Sequence, residues 1–218
     1  MQTTTVLLVR HGEVENPTHV LYERLPDFHL SERGHRMAQA SADYIAATAH
    51  MSGASAIVSS PLERTVETAT HILTTLNSLD TRRANPLQLQ TDERIIEAGN
   101  EFRGRRIGHG DAAPWRPKNW RLYAHPGRPS WGETYQEIGA RMSDFLGDVV
   151  DEHAGETVIA VSHESPIWTL RSLLVTGKPE HNVFKRKTAL ASITSLTVEV
   201  GTHRLVALAY ADPAATVE

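Results

Sequence analysis

Apolar positions recur along this chain in two rhythms, and together they predict strands alternating with helices. Residues 5–9 (Thr-Val-Leu-Leu-Val) form a short β-branched apolar run, the mark of a strand covered on both faces. Ser31 can cap a helix running to about residue 49, with Ala38, Ala42, Ile45 and Ala49 on one stripe. Ala56–Ser59 reads as a second buried strand, and Pro61 then sits where a helix can begin. Behind it Val66, Ala69, Ile72, Leu73 and Leu76 keep helical spacing. Ile138, Met142, Phe145, Leu146 and Val149 carry a further helix from about Thr134 to Val150. Thr157–Ser162 is a third buried strand, and Pro166 opens a helix that Gly177 and Pro179 close. Residues 192–200 and 205–210 alternate across 201–204, which predicts a closing hairpin.

Such an alternation makes βαβ units. The expected fold is α/β, a three-layer sandwich whose mostly parallel sheet is flanked by helices on both faces. One domain over residues 1–218 accommodates it, without internal repeats or low-complexity linkers. The segment from about 100 to 131 differs from the rest. It carries seven basic residues (Arg103, Arg105, Arg106, Arg116, Lys118, Arg121, Arg128) against Glu101 and Asp111, a local charge of +5. Trp115, Trp120 and Trp131 lie there too. A long inserted segment of this kind reads as a lid. The tail, residues 212–218, is Ala-rich and expected to fray.

Composition narrows the chemistry. The 218 residues include no cysteine, which rules out a disulfide framework, a zinc–thiolate site and a thiol nucleophile. A net charge of −4 argues against general binding to nucleic acid or to an anionic membrane. Before Arg10 the N-terminal region offers an apolar run of only four residues, too short for a signal-peptide core or a bilayer span. A cytoplasmic protein is therefore expected. Twelve histidines remain for chemistry near neutral pH.

Their useful members stand at strand ends. In an open parallel sheet, ligands bind off the carboxyl ends of the strands. The first predicted strand runs into Arg10-His11-Gly12-Glu13, the second into Ser59-Ser60-Pro61-Leu62-Glu63-Arg64, the third into Ser162-His163-Glu164. Two arginines and two histidines in such places make an anion-binding constellation with a candidate imidazole nucleophile. Singly, each has an ordinary surface reading; jointly they do not. Neither a Gly-rich nucleotide loop, a Gly-x-Ser-x-Gly elbow nor a His-Glu-x-x-His helix occurs, so no cofactor and no metal is expected.

The chain resembles the histidine phosphatase superfamily in its phosphoglycerate-mutase-like branch. The matching blocks are Leu8-Val9-Arg10-His11-Gly12-Glu13 with Asn16, Leu30-Ser31-Glu32-Arg33-Gly34, and Ser59 through Thr65 with Thr68-Ala69. Ile96-Glu97 ahead of Phe102-Arg103-Gly104, then Gly132-Glu133-Thr134, then Val158 through His163 complete the order. The Arg-His-Gly tripeptide alone is weak; six ordered blocks are specific. The likeness is greatest to an actinobacterial-type subgroup, and the family name leaves the substrate open.

The resemblance implies a phosphatase acting on a small phosphomonoester through a phosphohistidine, with His11 as nucleophile. Arg10, Arg64, His163 and Asn16 would hold the phosphoryl oxygens. Glu97 is the expected proton donor, with Glu93 and Glu101 as rivals close in sequence. Glu13 would hold the loop or an arginine. A phosphoglycerate mutase, or a non-catalytic phospho-ligand binding protein on the same fold, are the competing functions. The oligomeric state stays open, a homodimer included. Arg105 and Arg116, with the lid tryptophans, either receive an anionic or ring-containing leaving group or are solvated loop residues whose tryptophans pin the loop, and His109 and His125 are the lid histidines to watch. One departure stands out: Glu164 occupies the place where the family usually has glycine; its carboxylate either turns away, towards the lid arginines, or reads a cationic or hydroxyl group on the substrate, and the plainer expectation is a solvent-facing helix-start residue favoured by the helix dipole.

Overall fold

The computed structural model describes residues 2–79, 86–124, 127–128 and 130–218; His125 lies outside them. Its strands are β1 Thr3–Arg10, β2 Ala56–Ser59, β3 Leu89–Thr91, β4 Thr157–Ser162, β5 Ile193–Glu199 and β6 Leu205–Ala211, in one sheet ordered β3-β2-β4-β1-β5-β6. The first four of that order run parallel, and the β5–β6 hairpin adds two antiparallel strands beside β1. The helices are α1 Glu32–Ala47, α2 Ala49–Ser52, α3 Glu63–Leu79, α4 Trp120–Tyr123, α5 Tyr135–Glu152 and α6 Glu164–Thr176.

The period-two alternation of β1 explains the sandwich. Leu7 and Val9 point to the face where Ile45 of α1 and Ile72 of α3 pack. Val6 and Leu8 point to the other, against Met142 and Phe145 of α5 and Leu170 of α6. Both faces of β1 and β4 are therefore apolar, and the expected three-layer arrangement is the one observed.

Local signals set the helix ends. Ser31 accepts the Gly34 amide as the cap of α1, and Thr134 with Glu137 closes a reciprocal capping box on α5. Gly177, at φ 74°, ends α6 in the left-handed region. Two expectations need correcting here. The α1 helix stops at Ala47, and Ala49, beyond the break at Thr48, is exposed and leaves the stripe. The tail does not fray: Ala214 is buried beside Met37 and Ala191, and Arg33 and Arg36 bond the carbonyls of Val217 and Glu218. Strand β3 escapes the apolar pattern because it is three residues long with two exposed. Among the described residues no helix is long and apolar enough to cross a membrane.

Two glycines lock α1 onto the loop after β1. A Cβ on Gly34 would stand 2.0 Å from the Glu13 carbonyl oxygen, and one on Gly12 would stand 2.5 Å from that of Gly34. Only bare backbone fits. Gly34→Ala is expected to lower the unfolding free energy by about 1–3 kcal/mol, the usual cost of overpacking. A urea titration reads this directly, and an unchanged midpoint would show that the loop can shift aside.

Candidate active site

The carboxyl ends of β1, β2 and β4 meet because these strands are neighbours, with Arg10 opposite Ser162 across the β1–β4 pair. His11 follows β1, its amide bonded to the Ser162 carbonyl and its own carbonyl to the Ala191 amide. The side chain is buried at 2% exposure, and Nδ1 lies 2.7 Å from the Gly12 carbonyl oxygen. A carbonyl only accepts, so Nδ1 carries the proton and the Nε2 lone pair is left for chemistry. Burial, then the charges of Arg64 and Arg10, hold the His11 pKa well below its ordinary value, so the ring is neutral.

Arg64, in the first turn of α3, is fully buried. Its Nη2 donates to the Glu23 carbonyl at 2.5 Å, and the guanidinium lies 4.8 Å from the centre of the Tyr22 ring. Its Nε and Nη1 are buried without a partner. Arg10 donates through Nη1 to the Thr188 carbonyl at 2.5 Å, while its Nε is likewise buried and unpartnered. Buried guanidinium donors left unmatched are costly. Here they mark a place built for anionic oxygens.

His163 forms the N-terminal cap of α6, fully buried, with its ring centroid 5.2 Å from that of His11. Nε2 is 2.8 Å from the Ser60 hydroxyl oxygen and Nδ1 is 3.4 Å from Arg64 Nη2. Because Arg64 can only donate, Nδ1 is the acceptor and the Nε2 proton goes to Ser60. Burial and the charges of Arg64 and Arg10 keep this imidazole neutral as well.

Glu97 follows a short 3-10 turn, Glu93–Ile95, and places Oε2 3.9 Å from His163 Nδ1. Burial pushes its carboxyl above the ordinary value and nearby Glu164 adds to the rise. The Ala98 amide and the two arginines pull the other way without cancelling it. Its rivals fare differently: Glu93 and Glu101 are exposed, and neither lines the cavity.

The cavity measures about 270 Å³ and is walled by Arg10, Glu97, Trp131, Glu164 and Arg186, with Tyr22 and Glu23 on one side. Five of the six expected site residues thus come together. Asn16 does not join them: its amide donates to the Val20 carbonyl and its oxygen accepts the Val20 amide, so the group ties its own loop. Glu13 holds Ser31 and Arg33, as expected. Glu164 corrects a second expectation. Its carboxylate turns over the cavity, 3.1 Å from Arg10 Nη2, instead of facing solvent.

Within residues 100–131 some residues line the cavity and others stand in solvent. Residues 100 and 131 close the segment's neck by a β-bridge, and Trp131 lines the cavity. Trp115 and Trp120 are exposed at 68% and 62%, and Arg105 and Arg116 stand in solvent away from the wall. His109 is exposed there too, its Nδ1 on the Ile107 carbonyl. The arginine that does line the wall is Arg186, whose Nη2 is buried and unpartnered. Sequence reading also passed over Tyr22 and Glu23. Nothing in their local pattern signals a site, since a loop brings them over Arg64. Ser60, inside a quoted block, was within reach.

Comparison with known proteins agrees with this constellation. The chain is 43% identical over 215 residues to Uncharacterized protein Rv0525 of Mycobacterium tuberculosis strain H37Rv, covering 98% of each. It is 31% identical over 174 residues to Phosphoserine phosphatase 1 of Hydrogenobacter thermophilus, covering 74% of this chain and 72% of that one. Its fold matches the native structure of a mycobacterial glucosyl-3-phosphoglycerate phosphatase with a TM-score of 0.74 at 21% identity, over 96% and 99% of the two chains. The family model of the histidine phosphatase superfamily, branch 1, matches residues 6–211. With the histidine and arginine ends of β1, α3 and β4 in place, the chain belongs to the histidine phosphatase superfamily, branch 1, and is an enzyme of its phosphatase–mutase class.

Proposed function

We propose that this enzyme hydrolyses a small phosphomonoester, without a metal, through a phosphohistidine formed on His11. The observation that carries the reading is the set of unspent groups at the strand ends. His11 keeps its Nε2 lone pair in a neutral ring that feels the charges of Arg64 and Arg10, and the Nε of Arg10 and the Nε and Nη1 of Arg64 are buried without a partner. A phosphoryl group placed there would give each guanidinium N–H an oxygen.

His11 Nε2 attacks phosphorus in line, the N–P bond forms and the ester P–O bond breaks. The arginines carry the charge spread over the non-bridging oxygens. Glu97, whose pKa burial raises towards the protonated form, gives its proton to the leaving alkoxide. The resulting carboxylate then takes a proton from water as that water cleaves the N–P bond and releases inorganic phosphate. In its other neutral tautomer, with the single ring proton on Nδ1 instead of Nε2 and the Ser60 hydroxyl turned to donate to Nε2, His163 adds a donor. Residues 100–131 act as a lid through Trp131. The cytoplasmic location expected from the sequence goes with this reading.

The test is a panel of phosphoserine, 3-phosphoglycerate and an aryl phosphate, assayed in EDTA for released inorganic phosphate. Turnover in the chelator is expected. Conversion of 3- to 2-phosphoglycerate without phosphate release would identify a mutase instead, and binding without turnover of any ester would leave a phospho-ligand binding protein.

A further inference from the structure

Glu164 is the first residue of α6, where the helix dipole favours a carboxylate whichever way it points. It points over the cavity. Its Oε2 takes Arg10 Nη2 at 3.1 Å, and about a third of the side chain, 34%, remains open. Arg10 is thereby divided: Nη1 is spent on the Thr188 carbonyl, Nη2 on Glu164, and Nε stays buried and unspent beside the phosphoryl position. The carboxylate is thus joined through one guanidinium to a group proposed to hold the phosphoryl oxygens, on the cavity wall that would face the alcohol portion of an ester. An ionised carboxylate offers roughly four acceptor sites and one ion pair uses one of them. The remainder face the cavity.

We propose that Glu164 selects the leaving group, taking a hydrogen-bond-donating head, an ammonium or a hydroxyl, on the alcohol that departs from phosphorus. This rests on the phosphatase reading above and adds the substrate class to it. An anionic head beside Glu164 meets like charge in a partly desolvated wall. A cationic or hydroxylated head completes a chain from carboxylate to leaving group, while Arg10 holds the same carboxylate from the other side. Arg186 is the competing reader, since its Nη2 is unpartnered. Its Nε is held back on His181, whereas Glu164 is coupled directly to a phosphoryl-binding arginine.

The experiment compares kcat/KM for phosphoethanolamine, glycerol 1-phosphate, phosphoglycolate and phenyl phosphate in the full-length wild type and in Glu164→Gln. The wild type is expected to prefer the ammonium and hydroxyl esters over phosphoglycolate by at least about tenfold, and Glu164→Gln to shrink that ratio by about tenfold. A larger loss for phosphoethanolamine than for glycerol phosphate identifies the ammonium as the preferred head; equal losses identify the hydroxyl. Glu164→Gly reads the same ratio should the glutamine variant fail to fold. A ratio unchanged in the variants overturns the proposal. So does a wild-type preference for phosphoglycolate that Arg186→Ala removes, which would make Arg186 the selector. Failure of the wild type to release phosphate from any of the four esters is a separate result, which removes the phosphatase reading itself.

Discussion

Replacing His11 by alanine is expected to cut phosphatase turnover by at least about a thousandfold, roughly 4 kcal/mol of barrier. The size follows from what the ring does. The other side chains described at the floor of the site are poorer candidates: Arg10 and Arg64 have no lone pair to offer, His163 spends both ring nitrogens on Ser60 and Arg64, and the Ser60 hydroxyl would need a base to take its proton. The ring also needs no deprotonating base, since burial and two guanidiniums keep it neutral and the Gly12 carbonyl fixes the tautomer. Rapid acid-free quenching with a phosphorus-labelled ester should trap label on the wild-type protein and none on His11→Ala. Label retained by the variant would move the nucleophile elsewhere. Because alanine leaves the anion site open, the variant should still bind inorganic phosphate or a slow substrate, and this separates lost chemistry from lost folding.

The second large effect concerns Glu97. Glu97→Gln is expected to slow alkyl esters by about 10²–10⁴-fold, the usual worth of a positioned general acid. An aryl ester, whose leaving group departs without a proton, should suffer less in the first step. The pH profile carries the sign. Glu97 must hold its proton to act as acid, and its pKa is raised, so kcat/KM on an alkyl ester should persist above the ordinary carboxyl range and fall as pH rises through that shifted value. His11 must be neutral, and its pKa is lowered, so the acid limb should fall only below the ordinary imidazole range. In Glu97→Gln the upper limb should vanish. If it persists, or if Glu93→Gln or Glu101→Gln removes it, the assignment of the acid is wrong. Both of those glutamates are exposed, so their loss is expected to change little.

What the sequence could and could not reveal divides along physical lines. The alternation in β1 and β4 and the caps Ser31, Thr134 and Gly177 are local, and local rules read them correctly. His11, Arg10, Arg64 and His163 were found because strand ends gather in an open parallel sheet whatever the loops do. The lid arginines misled because net charge says nothing of direction: Arg105 and Arg116 face solvent while Arg186, from a far segment, lines the wall. Glu164 misled for a related reason. Its backbone position satisfies the helix dipole in any rotamer, and only the presence of Arg10 decides which one it takes. Tyr22 and Glu23 depend on a loop closing over a buried guanidinium, a contact between distant parts of the chain.

That last contact bears on affinity. The Glu23 carbonyl occupies one N–H of Arg64, and the Glu23 side chain is tied to the Asn100 amide and to Arg103 at the neck of the 100–131 segment. An anion that takes this N–H has to displace a backbone oxygen already in place. Its measured affinity is then its intrinsic affinity multiplied by the fraction of molecules whose loop stands clear. A weaker hold on Glu23, as in Arg103→Ala, raises that fraction, so inorganic phosphate becomes a stronger product inhibitor although no phosphate ligand has been touched.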